Sequence, residues 1–409
     1  MVQSKNLSIA LVSSYAFTKE PGGVKDFILG LKQALVKKGC KVYVIAPGSK
    51  DAQKKGLVDF VLGVGFKITT DQTEFRASLS RKKTAKTILE TIKPDIVIIH
   101  EPFVPSIGHT IISSLGYPRP VIVGQFHARR EDLNWRLKLA EFIMKYFVRR
   151  PKLSRRTLLS LSTGYVSTIN NNLDGRIAVS QATRKFWQKM LPADYKVIYN
   201  GIDTDKLTPD GPKINEWMRD GRKIVFFAGR HDPRKGIDDL INALNILIKN
   251  GDDSIKLKIA GRGKMTEDLM GMVNKIDLQK RIEFVGILPY EKLIQAYRTA
   301  DVVVAPSTAG EGFNRTIIEA RACGTLVVCA DINGQNEAIG KDLSVFMAKP
   351  GNPRDLALKI KSILNLGRAK RHEILKRGAE EVKTNFSWDT IAGEHIEYYK
   401  KLLNYQLTD

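Results

Sequence analysis

Short apolar runs rich in β-branched residues recur along the chain, at Leu7–Val12, Val42–Ala46, Asp95–Ile99, Pro120–Val123 and Arg176–Val179. Helical patterns separate several of them, as at Gly23–Lys38 and Lys82–Ile92. After residue 220 the alternation begins afresh. Strand-like runs at Lys223–Ala228, Lys256–Ala260, Arg281–Val285, Asp301–Ala305 and Thr325–Cys329 enclose helical patterns at Ile237–Lys249, Thr266–Ile276, Glu291–Ala300 and Arg315–Ala322. Near-continuous apolar strands alternating with helices predict parallel sheets covered on both faces. The second series opens with its own first strand and supplies more strands than one sheet needs. The pattern therefore predicts an α/β protein of two Rossmann-like domains facing an interdomain cleft, residues 1–199 and 204–387. The hinge falls at Tyr199-Asn200-Gly201-Ile202-Asp203, where Asn-Gly supplies a turn. The aromatic-rich segment Trp388–Leu407 reads as a last helix, with 388–409 expected to pack back on the first domain.

Length and composition agree with this division. The 409 residues suit two or three domains at roughly 150 each. Hydrophobic residues make up 43% and charged residues 27%, an ordinary globular balance that permits large cores. The three cysteines, Cys40, Cys323 and Cys329, form no CxxC pair, and so sparse and odd a set points to a reducing compartment. No run approaches the roughly 18 apolar residues of a spanning helix, and Met1–Ser14 reads as a first strand without a cleavage site.

Charge changes the picture more. The net charge is +23, and residues 1–200 hold 33 Lys/Arg against 14 Asp/Glu, while residues 201–409 hold 33 against 29. The first half should therefore meet something anionic: nucleic acid, acidic lipid or a phosphorylated substrate. Residues 129–156 concentrate this with 10 Lys/Arg against three acids. Within them Leu133–Val148 is amphipathic, carrying Lys138 and Lys145 on a polar face and Trp135 on the apolar one, with Arg149 and Arg150 following. Such a basic helix suits either an anionic bilayer surface or packing on its own domain.

Four segments carry candidate chemistry. Gly22-Gly23 precedes an amphipathic helix, so backbone N–H groups at its positive end can approach a phosphate; a simple left-handed turn is the alternative. Arg230, Arg234 and Lys235 stand between a strand and a helix, the edge at which open α/β sheets bind ligands, and Arg can fork two phosphate oxygens. His127 follows the run Pro120–Val123 and can hydrogen-bond a hydroxyl or serve structurally; His100 reads as structural. Glu311 and Glu319 lie eight residues apart, one on a loop and one on a helix, and read either as hydroxyl acceptors or as solvated surface residues. No GxxxxGK[ST] occurs, which disfavours a P-loop nucleotidase, and the histidines form no HExxH or other ligand set.

Taken in order, Pro21-Gly22-Gly23-Val24, Ile177-Ala178-Val179-Ser180, Ile198–Asp203, Gly229-Arg230…Lys235-Gly236 and Glu311…Glu319 span nearly the whole chain. Together they resemble the retaining glycosyltransferases of family 4, which have the GT-B architecture. Within that family His100-Glu101-Pro102-Phe103-Val104-Pro105-Ser106, Phe126-His127 and Asp232–Gly236 are similar to the bacterial phosphatidylinositol mannosyltransferases. The resemblance implies Arg230 and Lys235 on the donor diphosphate, Glu319 on the ribose, and Glu311 with Gly312, Phe313 and Asn314 on the transferred sugar. It adds Arg315 and Gly23 to the donor site and places His127 beside the anomeric centre, making His127 and Glu311 the catalytic residues. It turns Tyr15, Pro21, Gly22 and Lys25 toward the acceptor; Trp135, Lys138, Lys145, Arg149 and Arg150 are expected at the membrane from the basic amphipathic pattern and the charge of the first half.

The resemblance further implies no cofactor and no metal, a GDP- or UDP-linked sugar as co-substrate, and a cytoplasmic enzyme peripheral to the inner face of the cell membrane. Mannose moving from GDP-mannose to an anionic lipid such as phosphatidylinositol is the leading expectation. A UDP-sugar with a diacylglycerol or other glycan or lipid acceptor stays open, as does the oligomeric state. Lys25 stands where the subfamily has Gln, and Asn314 where it has a second Gly, so acceptor and donor identity are the points in doubt. A sugar-nucleotide epimerase, a phosphorylase and a nucleic-acid-binding protein are the competing classes. Charge without interleaved aromatics argues against the last.

Overall fold

The computed structural model describes residues 7–17, 22–48, 50–69, 74–128 and 155–406. They fall into two compact units, Met1–Gly201 with Ile391–Asp409, and Ile202–Thr390.

The first unit holds a seven-stranded sheet in the order β3-β2-β1-β6-β7-β8-β9. Its strands are β1 (Ser8–Ser13), β2 (Lys41–Ala46), β3 (Phe60–Val61), β6 (Ile96–His100), β7 (Val121–Phe126), β8 (Gly175–Ala178) and β9 (Lys196–Val197), all paired in parallel. An antiparallel hairpin, β4 (Val64–Thr69) with β5 (Glu74–Leu79), stands outside that sheet. The helices are α1 (Gly23–Lys37), α2 (Lys50–Lys54), α3 (Lys82–Ile92), α4 (Ile107–Ile112), α5 (Arg155–Asn171) and α6 (Gln181–Met190). The central strands are buried on both faces, which is why β1 and β6 read as unbroken apolar runs rather than as alternation. One face carries a core of Ala10, Val12, Val97, Ile99, Ile122 and Phe126 under Ile88, Ile107 and Ile169.

The second unit repeats the plan with five parallel strands in the order β12-β11-β10-β13-β14. These are β10 (Lys223–Ala228), β11 (Ile255–Ala260), β12 (Ile282–Gly286), β13 (Val302–Ala305) and β14 (Leu326–Cys329). Its helices are α7 (Asn215–Met218), α8 (Ile237–Lys249), α9 (Thr266–Lys275), α10 (Tyr290–Thr299), α11 (Arg315–Ala322), α12 (Asn336–Ile339), α13 (Pro353–Leu364) and α14 (Arg368–Phe386). The last helix, α15 (Trp388–Gln406), begins in this unit and belongs to the first from Ile391 onward. There the Tyr398 hydroxyl accepts the backbone N–H of Arg176, 3.2 Å away, and Leu402 and Tyr398 fill the space above Gly175 on β8.

The α/β class with two Rossmann-like sheets is as expected from the hydrophobic pattern, and predicted elements match observed ones to within three residues. The largest difference is β7, which runs on to Phe126 and so delivers His127 directly off the strand end.

In each unit the chain builds strands outward on one side of the first strand, then returns to its other side. The gap between β1 and β6, and that between β10 and β13, are therefore the topological switch points at which such sheets bind ligands.

Candidate active site

In the second unit two loops meet at the switch point. The loop after β10 carries Arg230 and a single 3-10 turn, Pro233–Lys235, capped by Asp232, whose carboxylate accepts the Arg234 N–H at 3.2 Å. Asp232 also lies 3.5 Å from the guanidinium groups of both Arg230 and Arg234, holding the two cations side by side. Gly236 then turns into α8 with φ 61°, and a Cβ there would run into the carbonyl of Pro306. Only glycine permits both that backbone angle and that approach of the two loops.

The loop after β13 supplies the other side. Glu311 Oε1 pairs with Lys235 Nζ at 2.5 Å and accepts the Ser307 hydroxyl at 2.9 Å. Both side chains of the ion pair are largely enclosed, 20% exposed for Lys235 and 12% for Glu311. Burial works against the ionised carboxyl, but the charge and hydrogen bond of Lys235, with Ser307 and Arg234, outweigh it and hold Glu311 below the usual carboxylate range. Asn314 caps α11, its side chain accepting the Thr316 N–H at 3.1 Å. Phe313 is buried against Phe386, ring centroids 5.6 Å apart. One helical turn on, Glu319 is 6% exposed and fully engaged, taking the Tyr297 hydroxyl at 3.0 Å and Arg315 at 3.0 Å. Burial and the neighbouring Glu319 push the Tyr297 phenol well up, so it stays protonated and donates.

In the first unit the loops after β1, β6 and β7 converge. Gly22 is extended, φ −154°, and Gly23 starts α1, so no left-handed turn occurs here. A Cβ on Gly23 would meet nothing within 4 Å, so packing among the described residues does not demand a glycine there. No side chain of the described residues caps this helix end, and the first-turn N–H groups of a helix are suited to an anion. Tyr15 and Lys25 are half-buried beside it. Phe27, one turn into α1, packs edge-on to His127 with centroids 4.8 Å apart. His127 Nε2 lies 2.9 Å from His100 Nδ1, and burial pushes the His127 imidazole down to about 3, so it is neutral at physiological pH.

Two sets of candidates are thus brought together: Arg230, Lys235, Glu311, Gly312, Phe313, Asn314, Arg315 and Glu319 in one unit, and His127, Gly22, Gly23, Tyr15 and Lys25 in the other. Pro21, Trp135, Lys138, Lys145, Arg149 and Arg150 lie outside the described residues.

This geometry has known relatives. Residues 21–206 match the family described as Glycosyltransferase Family 4, and residues 213–381 match Glycosyl transferases group 1. A phosphatidyl-myo-inositol mannosyltransferase of Mycobacterium leprae is 27% identical over 402 residues, 96% of each chain. The chain belongs to the family-4 glycosyltransferases. Two solved structures share the fold of this glycosyltransferase. A glycosyltransferase from Rickettsia africae is 18% identical with TM-score 0.73, over 98% of this chain and 99% of that one. Anabaena HepE, solved in complex with UDP, is 19% identical with TM-score 0.71, over 97% and 100%.

Several residues of the candidate site carry no local sign of their role in the sequence. Tyr297 is an unremarked helix aromatic until Glu319 is seen to accept from it. Gly334, φ 89°, sits under the Glu311–Gly312 backbone, where a Cβ would collide with the Glu311 carbonyl. Glu101 has a left-handed backbone, φ 56°, rare outside glycine, and its carboxylate accepts the N–H groups of His127 and Ala128 at 2.7 Å each. Its carbonyl takes the Ser14 hydroxyl at 3.0 Å, tying the loop after β1 to that after β6. A strained residue so thoroughly held marks a functional position.

A further group appears at α3. Arg81, Lys82, Lys83 and Lys86 are all exposed at its N-terminus, with no acid in the first turn and no side-chain cap. Cations at the positive end of a helix are unfavourable by about 0.3–1 kcal/mol each. Among the described residues no helix is long and apolar enough to cross a membrane.

Proposed function

We propose that this glycosyltransferase is retaining and metal-independent, moving mannose from GDP-mannose to an anionic membrane lipid such as phosphatidylinositol. The relative from Mycobacterium leprae, named for that activity and aligned over 96% of both chains, supports the choice of sugar and acceptor. The Lys235–Glu311 pair at the switch point carries the mechanism. A departing diphosphate gains negative charge as the sugar becomes oxocarbenium-like, and fixed cations stabilise that change without reorganising. Arg230 and Lys235 supply the charge, and the backbone N–H groups that start α1 at Gly22-Gly23 are proposed as further donors. Glu311 has two jobs: it holds the Lys235 ammonium in place and offers its second oxygen and the Gly312–Asn314 backbone to the sugar. Glu319, oriented by Tyr297 and Arg315, takes the ribose hydroxyls. Neither carboxylate acts as the acid or nucleophile of a glycosidase; the departing phosphate takes the acceptor proton.

The acceptor side rests on Tyr15, Pro21, Gly22 and Lys25, with Lys25 adding a cation suited to a lipid phosphate. The exposed cations of α3 favour a negatively charged surface, each worth about 1 kcal/mol near anionic lipid. A peripheral position on the inner face of the cell membrane follows from this reading. Ligand-induced thermal stabilisation tests the donor. GDP at a hundred times its Kd should stabilise the fold by about 2.7 kcal/mol, raising Tm by roughly 5–10 °C, and UDP should do markedly less. Equal or greater stabilisation by UDP overturns the GDP-mannose assignment.

A further inference from the structure

His127 stands at the outer end of a buried polar layer. Ser13, His100 and Gln125 are register neighbours on β1, β6 and β7, so their side chains share one face of the sheet, and none is exposed to solvent. Phe27 of α1 closes over that layer, its ring 5.8 Å from His100, 4.8 Å from His127 and 6.3 Å from His395 of α15. Burial drives all three imidazoles below their usual range, and the mutual proximity of the rings adds to it for His100 and His395. The His100–His127 pair is therefore neutral, and each ring carries one proton.

Only two arrangements put a single proton between His100 Nδ1 and His127 Nε2, which are 2.9 Å apart. If His127 Nε2 donates, His100 must carry its proton on Nε2, a fully buried atom with no acceptor among the described residues. If His100 Nδ1 donates, that buried atom is a bare lone pair and the proton of His127 sits on Nδ1. Orphaned buried N–H groups are rarer than unfilled acceptors, so the second arrangement is favoured. His127 Nδ1 is not among the buried unpartnered atoms and makes no hydrogen bond with the described residues. Glu101 fixes the backbone from which the ring projects.

We infer that His100 is a positioning residue that locks His127 in the Nδ1–H tautomer, so that His127 presents a hydrogen-bond donor and not a base to its ligand. Such a donor suits a hydroxyl oxygen of the transferred sugar or an oxygen of the departing phosphate, and it cannot remove the acceptor's proton. The functional half of this inference rests on the reading that His127 faces the transferred sugar. The tautomer itself does not.

Imidazole 15N–1H correlation spectra of the ligand-free, full-length protein decide the matter, with His127 assigned by the signal lost in His127→Gln. His127 should show a protonated Nδ1 and a bare Nε2. His100→Leu should remove that preference and lower turnover at saturating donor at least tenfold. His100→Asn, whose amide reaches the position of Nδ1, should restore the Nδ1–H form and part of the turnover. A wild-type His127 protonated on Nε2, or a tautomer unchanged in His100→Leu, overturns the inference. The expected spectrum combined with normal turnover in His127→Gln upholds the tautomer assignment and overturns the placing of His127 at the sugar.

Discussion

Lys235 is the residue on which the proposed donor site turns, because it is both the partner of Glu311 and one of the cations that the loop after β10 brings to the switch point. Removing it takes away charge that would meet the leaving diphosphate and leaves Glu311 enclosed with the Ser307 hydroxyl as its one side-chain donor among the described residues. Lys235→Ala should lower kcat at least tenfold at saturating donor, about 1.4 kcal/mol of transition-state stabilisation. Steady-state kinetics read this directly, and near-normal kcat would remove Lys235 from the mechanism. The sequence raised Lys235 by its place between a strand and a helix, and Glu311 and Glu319 through a resemblance, since the spacing of the two carboxylates alone fits a solvated surface equally well. What it hid is how other residues hold them and His127 in place. Tyr297, Gly334 and Glu101 act through contacts 22 or more residues away in the chain, and no local periodicity encodes such a contact.

Elements were more legible than residues. Strands buried on both faces leave unbroken apolar runs, and α3, α8 and α11 have the bounds their patterns predict. The hairpin β4–β5 was not read from the sequence, because it lies outside the parallel repeat and pairs only with itself. Asn314, set against a family glycine, acquires a local reason: it caps α11, a role for which Asn is among the best residues. The helix α3 shows the opposite, a helix end furnished against its own dipole. Replacing Arg81, Lys82 and Lys83 by Glu should therefore have effects of opposite sign on two measurements. Thermal stability should hold or rise, by a few tenths to about 1 kcal/mol per site. Sedimentation with vesicles containing phosphatidylinositol should fall sharply at low salt. Vesicle binding equal to wild type would show that α3 does not meet the membrane.

At the scale of the whole molecule, the chain builds the same plan twice and places its candidate chemistry at the same edge of each sheet. The charge imbalance belongs to the first half, where an anionic acceptor is proposed; the second half is nearly balanced and sets Arg230, Arg234 and Lys235 on the loop after β10. The proposed division of labour puts the donor on the second unit and the acceptor on the first. Its most direct test is transfer of radiolabelled mannose from GDP-mannose to lipid, with the full-length protein on vesicles made with and without phosphatidylinositol. The account predicts label in the organic phase only when phosphatidylinositol is present, with the anomeric configuration of the donor preserved in the product. Label that never leaves GDP-mannose, while a UDP-linked sugar is transferred to lipid under the same conditions, would contradict it.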